Sequence, residues 1–391
     1  MDKKVRLGII GFGNMGGGHT KSIMAGNCPE IELVAIADIK ESRRDAVKEQ
    51  YGDAITVFDD AEKMMDSGLI DAVLVAVPHY DHPKYSIAAM ERGIHVMCEK
   101  PAGVYAKAVR EMNEVADKHP EVVFGMMFNQ RTNHVYRKMR ELVQSGEYGE
   151  IRRTNWLITN WYRTQFYYDS GDWRATWSGE GGGVLLNQCP HQLDLWQWIC
   201  GMPVKVQSNL RLGQWHDIEV EDDVTTYVEY ANGATGVFIT TTGDAYGTNR
   251  FEIQMDRAKL VVDNDELTVH EFEHSTEEFT RNCDQGFAHM PVKKIEVETD
   301  GLNPQHNGVL NAWAGAILRG EELVAKGQEG INGVMLSNAM HLSYFLGKAV
   351  ELPVDEDLYY EELMKRVATS RRKTNVVEAV SDTSGSYAGT K

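Results

Sequence analysis

The stretch that decides the fold covers residues 5–38 and reads VRLGIIGFGNMGGGHTKSIMAGNCPEIELVAIAD. An apolar run at residues 5–10 breaks into a glycine-rich turn at residues 11–16, and a helical stretch follows. A second apolar run at residues 31–37 is closed by Asp38. This order predicts a strand, a tight turn, a helix and a second strand.

The glycine-rich turn has the spacing GxGxxG, and each glycine has a physical task. Gly11 makes the tight turn, Gly13 lets the backbone approach a pyrophosphate, and Gly16 lets the helix pack closely on the strand. Free amides at the helix N-terminus favour anions. Asp38 follows at the distance at which a carboxylate binds ribose hydroxyls. We therefore predict a dinucleotide site, and the alternative is a strand-to-helix turn without a ligand.

The composition bounds the class of protein. The chain has 391 residues, 42% of them hydrophobic, and is long enough for two domains. A net charge of -18 disfavours nucleic acid and anionic membranes and favours a small-molecule partner. Five cysteines without a CxxC pair indicate reduced thiols. The chain enters its first strand without a signal peptide or an apolar run of spanning length, so we expect a cytoplasmic protein.

Strands alternate with helices as far as residue 127. The apolar runs at residues 70–78, 95–98 and 122–127 resemble strands buried on both faces, and they alternate with helical stretches at 42–51, 61–67 and 83–91. This alternation predicts a parallel sheet. Ligands bind beyond the carboxyl ends of such strands, so His79 and Lys100 should line the same cleft as the glycine turn.

A second candidate site lies in residues 179–196, which read GEGGGVLLNQCPHQLDLW. Pro190 suits the first turn of a helix, which places His191 at a helix N-terminus. The macrodipole disfavours an imidazolium there and keeps the ring neutral, as a proton acceptor must be. Asp194, three residues on, could orient the ring or cap the helix. A lone histidine is more often structural, but we predict a functional His191.

The rest of the chain has a different pattern. Residues 224–230 and 234–241 alternate in polarity and are joined by Asn232-Gly233, which predicts an antiparallel hairpin in a half-exposed sheet. Helices are expected at 311–318 and 332–346, and residues 381–391 form a polar tail. Aromatic and arginine side chains crowd residues 155–177. They suit a sugar ring or an aromatic aglycone, and core packing is an equal alternative.

Taken together, these motifs resemble the Gfo/Idh/MocA oxidoreductases. The resemblance is carried by the glycine turn, by Val77-Pro78 with His82 downstream, by residues 93–101, and by residues 181–183 followed by His191 and Asp194. It implies an N-terminal Rossmann domain, which is a doubly wound parallel sheet, and a C-terminal α/β domain with a large open, mostly antiparallel sheet. The corresponding ranges are 1–128 for NAD binding, 129–380 for substrate binding and oligomerisation, and 381–391 for a flexible tail.

The same resemblance implies the catalytic set Lys100, Asn187 and His191. Many members carry an aspartate where this chain has Asn187. An amide can hydrogen-bond a hydroxyl but can neither take a proton nor offset the lysine charge. Proton transfer would then fall to His191, and we expect a lower pKa for Lys100 than in aspartate-bearing relatives. Tyr162 joins these three as a predicted substrate contact.

The predicted cofactor is NAD, and no metal site is expected, because His79 and His82 have no third ligand in sequence. Asp38 would repel a 2′-phosphate, although Arg43 and Arg44 nearby could accommodate one. Trp173 and Arg174 resemble a pair that closes over the cofactor. The predicted cofactor contacts are Gly11, Phe12, Gly13, Asn14, Met15, Gly16, Asp38, Ile39, Val77, Pro78, His79, His82, Glu99, Lys100, Trp173 and Arg174.

Three functions follow from these motifs. The first is an NAD-dependent dehydrogenase that acts on a secondary ring hydroxyl of a sugar, glycoside or cyclitol, working as a homodimer or homotetramer through its open sheet. The second is an NAD-dependent glycoside hydrolase that oxidises its substrate transiently and then eliminates. The third is a nucleotide-sensing regulator without catalysis, against which the presence of both Lys100 and His191 argues.

Overall fold

The computed structural model describes residues 3–371, 373 and 376 of the chain. The predicted tail at residues 381–391 lies outside the described residues. Two sheets organise the described part, one of six strands and one of nine.

The first sheet contains parallel strands that alternate with helices. Its elements are β1 (Val5–Ile10), α1 (Asn14–Met24), β2 (Ile31–Ala37), α2 (Glu41–Tyr51), β3 (Thr56–Phe58), α3 (Ala61–Asp66), β4 (Ala72–Val75), α4 (His82–Met90), β5 (His95–Cys98), α5 (Ala106–Lys118) and β6 (Phe124–Met126). The strand order is β3-β2-β1-β4-β5-β6, with parallel pairing throughout. This is the doubly wound topology that the sequence predicts.

The turn between β1 and α1 needs its glycines. Gly11 has a φ of +96°, which side chains rarely adopt. A Cβ on Gly16 would lie 1.9 Å from the carbonyl oxygen of Gly11, so only glycine lets the helix begin this close to the strand. The predicted strand, turn and helix are therefore confirmed in position and in physical cause.

The second sheet is mixed but mostly antiparallel, as expected. The elements after β6 are α6 (His134–Gln144), β7 (Ile151–Ile158), α7 (Gln165–Asp169), α8 (Pro190–Cys200), β8 (Lys205–Leu212), β9 (Glu221–Glu229), β10 (Thr235–Thr241), β11 (Asn249–Met255), β12 (Ala258–Asp263), β13 (Glu266–Phe272), α9 (Thr276–Asn282), β14 (Val292–Glu296), α10 (Gln305–Arg319), α11 (Gly330–Leu346), β15 (Val350–Glu351) and α12 (Glu356–Val367). The order is β14-β13-β12-β11-β7-β10-β9-β8-β15. Only the central pair, β7 and β10, is parallel among these described strands.

Among the described residues, helices cover one face of the second sheet and leave the other face open. Helix α11 packs on β8 and α8, and burial alternates along β8 and β9. On the opposite face Leu157 and Tyr227 are 38% and 41% exposed. Their cross-strand neighbours in β10 are Ile239 and Val237, so apolar side chains from three strands meet on the open face.

Helix α10 packs against the first sheet although it follows the second in sequence. Its residues Val309, Leu310 and Trp313 share a core cluster with Leu7 and Ile9 of β1. The indole of Trp313 also donates to the carbonyl of residue 123, at 3.2 Å. The domain division near residue 128 stays a prediction. Helix α10 follows the second sheet in sequence but adds to the helices that cover the first sheet.

Two further features concern membrane-spanning helices and cysteines. Among the described residues, no helix is both long enough and apolar enough to cross a membrane. All five cysteines have free thiols, and Cys28, Cys98 and Cys189 are buried.

Candidate active site

The ends of β4 and β5 bring two predicted site segments together. His79 lies just after Pro78, beyond the end of β4, and Lys100 lies just beyond the end of β5. His82 joins the two loops, because its ring nitrogens lie 2.6 Å from the carbonyl oxygen of Pro101 and 2.8 Å from that of Val77. Val77 also packs beside the glycine turn, with its side chain 3.4 Å from the position of a Cβ on residue 11. The glycine turn and both loops therefore share one edge of the sheet.

Glu99 is buried beside this edge and ties it to α1. One carboxylate oxygen lies 2.6 Å from Nε2 of His19, and the other accepts the amide of Lys100 at 3.2 Å. The ring of His19 meets His306 of α10 edge to face. Although burial alone would raise it, the hydrogen bond from His19 and the charges of His306 and Lys100 hold the pKa of Glu99 at about 2.

The glycine-rich loop before α8 is held by a buried acid. One oxygen of Glu221 accepts the amides of Gly183 and Leu185, at 2.8 and 3.1 Å. Its other oxygen lies 2.9 Å from Nε2 of His341, and both side chains are fully buried. A Cβ on Gly183 would lie 1.9 Å from the carbonyl oxygen of Glu221, which explains glycine at this position.

This loop meets Lys100 directly. The lysine Nζ donates to the backbone carbonyl of Asn187 at 2.9 Å. The lysine side chain therefore spans from the edge of the parallel sheet to the segment that begins α8. Burial lowers the pKa of Lys100, the carboxylates of Glu99 and Glu180 oppose that effect, and Arg174 and Arg163 add to it.

The side chain of Asn187 lies within a polar network. Its Oδ1 accepts the hydroxyl of Tyr167 at 3.2 Å, and its Nδ2 donates to Oε1 of Glu180. The same tyrosine hydroxyl accepts from Arg174 at 3.0 Å and from Gln188 at 3.2 Å. Asn187 is thus oriented from both ends of its amide, while its backbone carbonyl is held by the lysine.

His191 lies in the first turn of α8, which begins at Pro190 as predicted. It is 1% exposed, and its ring meets Phe128 edge to face. Burial lowers the pKa of His191 well below its usual value, and the charges of Lys100 and His306 add to the effect. The ring is therefore neutral at neutral pH, as a proton acceptor must be.

Asp194 binds Arg131, rather than orienting the His191 ring or capping the helix as the sequence suggests. Its two oxygens accept from Nη2 and Nε of Arg131 at 2.7 and 2.8 Å, and both side chains are buried. Arg131 also binds Glu329 at 2.6 Å. The carboxylate of Asp194 therefore forms a buried ion pair that fixes α8 to the segment after β6.

The nucleotide site fits NAD on its own geometry. A Cβ on Gly13 would meet nothing within 4 Å, so the turn has an open side at the N-terminus of α1. Asp38 accepts the amide of Phe12 at 2.7 Å and that of Lys40 at 2.8 Å. Each carboxylate oxygen keeps a further lone pair for a ribose hydroxyl. The first turn of α1 contains the predicted contacts at residues 14 and 15, and Ile39 is exposed beside Asp38.

Arg44 contacts the segment that follows β2. Its Nη1 donates to the carbonyls of Asp38 and Ile39, at 2.9 Å each. The guanidinium is therefore anchored at the carboxyl end of β2, next to Asp38.

The aromatic segment contributes to the edge of the cleft. Trp173 meets His79 edge to face with the ring centroids 5.6 Å apart, and Arg174 stacks over the rings of Trp173 and Tyr167 at 4.6 Å each. Tyr162 is 47% exposed, and its carbonyl accepts from the neighbouring arginine at 2.9 Å. The roles of Trp173, Arg174 and Tyr162 toward ligands stay predictions.

Several residues of this site were not predicted from the sequence. Those that lie in or beneath the cleft are His19, Glu180 and His306, while Tyr167 was predicted only as part of the aromatic segment at residues 155–177. The glycine-rich context of Glu180 was the one available signal for it. His19 and His306 come from helices far apart in sequence, and nothing in their spacing indicates that they meet.

Comparison with known families agrees with the geometry. The family model described as an oxidoreductase family with an NAD-binding Rossmann fold matches residues 5–126. The model of the GFO/IDH/MocA C-terminal domain matches residues 136–261.

The chain is also similar in sequence to individual dehydrogenases. The chain is 30% identical to the D-glucoside 3-dehydrogenase of Escherichia coli over 247 residues, which are 59% of this chain and 68% of that protein. It is 26% identical to the myo-inositol 2-dehydrogenase of Thermotoga maritima over 268 residues, 66% of this chain and 75% of that protein.

Among solved structures, the WlbA dehydrogenase of Chromobacterium violaceum, in complex with NADH and UDP-GlcNAcA, superimposes with a TM-score of 0.75 at 27% identity, over 91% of this chain and 98% of that one. A levoglucosan dehydrogenase complex with NADH and L-sorbose shares the fold with a TM-score of 0.74 at 20% identity, over 90% of this chain and 100% of that one. The chain therefore belongs to the Gfo/Idh/MocA family of NAD-binding oxidoreductases.

Proposed function

We propose that the protein transfers a hydride between NAD and a secondary ring hydroxyl of a sugar, glycoside or cyclitol. The observation that carries the proposal is the hydrogen bond of 2.9 Å between Nζ of Lys100 and the carbonyl of Asn187. This bond places the ammonium of Lys100, which follows strand β5, next to the loop that precedes α8. His191 lies in the first turn of that helix. Bound NAD supplies the hydride acceptor for oxidation of the alcohol.

His191 acts as the general base in this proposal. Its imidazole is buried and neutral at neutral pH, because burial and the charge of Lys100 lower the pKa of the ring. A neutral ring nitrogen can take the hydroxyl proton as the C–H bond gives up its hydride. In the reverse direction the imidazolium returns this proton to the carbonyl oxygen.

Lys100 and Asn187 position the reacting oxygen. The ammonium of Lys100 has three donors, and one is directed to the Asn187 carbonyl. The remaining donors can stabilise the negative charge that develops on the alcohol oxygen. The amide of Asn187 is held by Tyr167 and Glu180, so it contributes orientation and no proton.

The relatives support a ring alcohol as substrate. Their names specify dehydrogenation at position 3 of a D-glucoside and at position 2 of myo-inositol. Because both are dehydrogenases, the redox-cycling glycosidase is not favoured. Which ring and which hydroxyl this chain takes is to be decided by assay.

The test is NADH formation with a panel of inositols, free sugars and glycosides. We expect one class to give net NADH, and His191→Ala to lose at least about a hundredfold in kcat with little change in NADH affinity. His119→Ala is the matched control, because His119 pairs with Glu121 at the surface. Release of an aglycone without net NADH would instead establish the glycosidase. A His191→Ala variant with parental turnover at every pH would remove His191 as the base.

The open face of the second sheet is our proposed contact for a homodimer or homotetramer. Leu157, Val237, Ile239 and Tyr227 form an apolar surface across three strands there. Light scattering coupled to gel filtration measures the assembly. Tyr227→Lys should lower the molar mass to that of a smaller species, and a monomeric parent would contradict the proposal.

A further inference from the structure

Glu180 is a buried carboxylate at the centre of the site. It is 2% exposed, and its Oε2 accepts the amide of Ala175 at 2.5 Å. Its Oε1 accepts Nδ2 of Asn187. Burial raises the pKa of Glu180, while the charge of Arg174 and these two donors oppose that effect. Both oxygens therefore face N–H donors, which is the arrangement that a carboxylate requires and a carboxylic acid does not.

Asn187 connects this carboxylate to Lys100. The backbone carbonyl of Asn187 accepts from Nζ of Lys100, while its side-chain amide donates to Glu180. A single residue therefore contacts the cation through its main chain and the anion through its side chain.

The contact between Glu180 and Asn187 also explains why residue 187 is an amide. An aspartate there would place a second carboxylate in hydrogen-bond contact with the first, and two such groups in contact cannot both ionise. The negative charge of this pair can reside on either residue, but not on both. In this chain it resides on residue 180.

We propose that Glu180 is the positioning residue that keeps the ammonium of Lys100 charged and aimed, through its contact with Asn187. The proposal rests on the proposed function in assigning Lys100 to the reacting oxygen. It predicts that the carboxylate can be exchanged with the amide across the hydrogen bond while the chemistry is retained.

Other charges face the same two groups, and the test takes them into account. Glu99, Arg174 and Arg163 act on Lys100 together with Glu180. The groups near Lys100 that can also titrate are His79, His82, His191 and His306. The charged groups that face Glu180 itself are Arg174, Glu221 and Lys373. The test therefore changes the charge at residues 180 and 187 and leaves all of these other groups in place.

The experiment follows the reactivity of the Lys100 amine toward acetic anhydride as a function of pH, with the modified peptide quantified by mass spectrometry. Glu180→Gln should lower the labelling midpoint by about one pH unit, because an opposite charge is lost. Glu180→Gln/Asn187→Asp should restore the parental midpoint, since the new amide at position 180 then donates to the new carboxylate at position 187. Glu219→Gln is the control, as Glu219 binds the amide of Trp177 in the adjoining segment.

Turnover is the second measurement. The alkaline limb of kcat should move to lower pH in Glu180→Gln by the same interval and return in the exchanged double variant. The labelling needs neither substrate nor NAD, so it reports on Glu180 even if no dehydrogenase activity is found. An unchanged labelling midpoint in Glu180→Gln would overturn the proposal, as would a double variant that stays at the lowered midpoint.

Glu180→Gln alone leaves two N–H donors facing each other and could fail to fold. In that case Glu180→Gln/Asn187→Ser takes its place, because serine removes the opposed amide and adds no charge. Its Lys100 midpoint should lie about one unit below that of Glu180→Gln/Asn187→Asp. Equal midpoints in the two double variants would show that a carboxylate at this point has no effect on Lys100.

Discussion

Cofactor choice gives the most quantitative prediction, and it concerns Asp38. The carboxylate holds the amides of Phe12 and Lys40 at 2.7 and 2.8 Å and has lone pairs left for the ribose hydroxyls. Arg44 is anchored on the carbonyl of Asp38 itself. The parent should therefore prefer NAD, because the carboxylate repels a 2′-phosphate, and Asp38→Ser should weaken or reverse that preference.

The size of the change follows from the contacts. Serine is too short to replace the contacts with both ribose hydroxyls, and a hydrogen bond to a charged group contributes about 1.5 kcal/mol at the low end, so NAD loses about 3 kcal/mol. NADP loses the contact of its 3′-hydroxyl, about 1.5 kcal/mol, and gains a phosphate contact with Arg44 of about the same size. The ratio of the two affinities therefore changes by about 3 kcal/mol, or roughly a hundredfold, and the loss of repulsion toward the 2′-phosphate adds to this change.

Isothermal titration calorimetry with NADH and NADPH measures this ratio without a substrate. Asp38→Asn is the first control, since it removes the charge but keeps one oxygen acceptor, and its ratio should fall between parent and serine variant. In the serine background, Arg44→Ala should abolish the NADPH gain, while Arg43→Ala should leave it. A parent that prefers NADPH, or a serine variant with a ratio within about fivefold of the parent, would refute the role of Asp38.

The remaining predictions concern the catalytic network and pH. Lys100→Ala should lose turnover and Lys100→Arg should not restore it, because a planar guanidinium cannot replace a compact ammonium; full activity in the arginine variant would contradict this. Tyr167→Phe should lower kcat/KM about tenfold, because it removes one hydrogen bond that orients Asn187, whereas Tyr168→Phe, whose hydroxyl binds Thr242, should not. Burial lowers the pKa values of His79 and His191, and burial together with His19 lowers the pKa of His306 to about 4. The unfolded chain thus binds more protons below about pH 6.5, so the melting temperature measured by calorimetry should fall from that pH toward about 4, and a constant value would contradict the buried neutral rings.

The sequence predicted those elements of the fold that rest on local rules. Steric demands at Gly11 and Gly16 are local, and the N-terminus of α8 follows from the missing amide of Pro190. The apolar alternation predicted the β9–β10 hairpin to within a few residues of its ends. The packing of α10 on β1 was missed, because its amphipathic pattern gives no information about which sheet it covers.

The candidate site was predicted less completely, for a physical reason. Lys100 follows strand β5 and His191 lies in the first turn of helix α8, and the ends of both elements are predictable, so the surroundings of these two residues could be inferred. Glu180 and Asn187 lie in a loop without periodicity, where a separation of seven residues does not specify contact. The sequence indicates that the amide of Asn187 cannot offset the charge of Lys100, and the structure adds that the carboxylate of Glu180 is hydrogen-bonded to that amide.

The charges around the cleft act on the pKa values of Lys100 and His191, and the proposed mechanism requires these two groups to differ in protonation. Burial lowers the pKa of Lys100, and the carboxylates of Glu99 and Glu180 oppose that effect and favour the charged form. His191 is buried, and the charge of Lys100 further lowers the pKa of its ring. In the proposed mechanism, Lys100 can therefore stay charged to stabilise the developing oxyanion, while His191 stays neutral to accept the proton of the alcohol. Removing a carboxylate beside Lys100 would lower the lysine pKa toward that of the base, and the two roles would no longer be distinct.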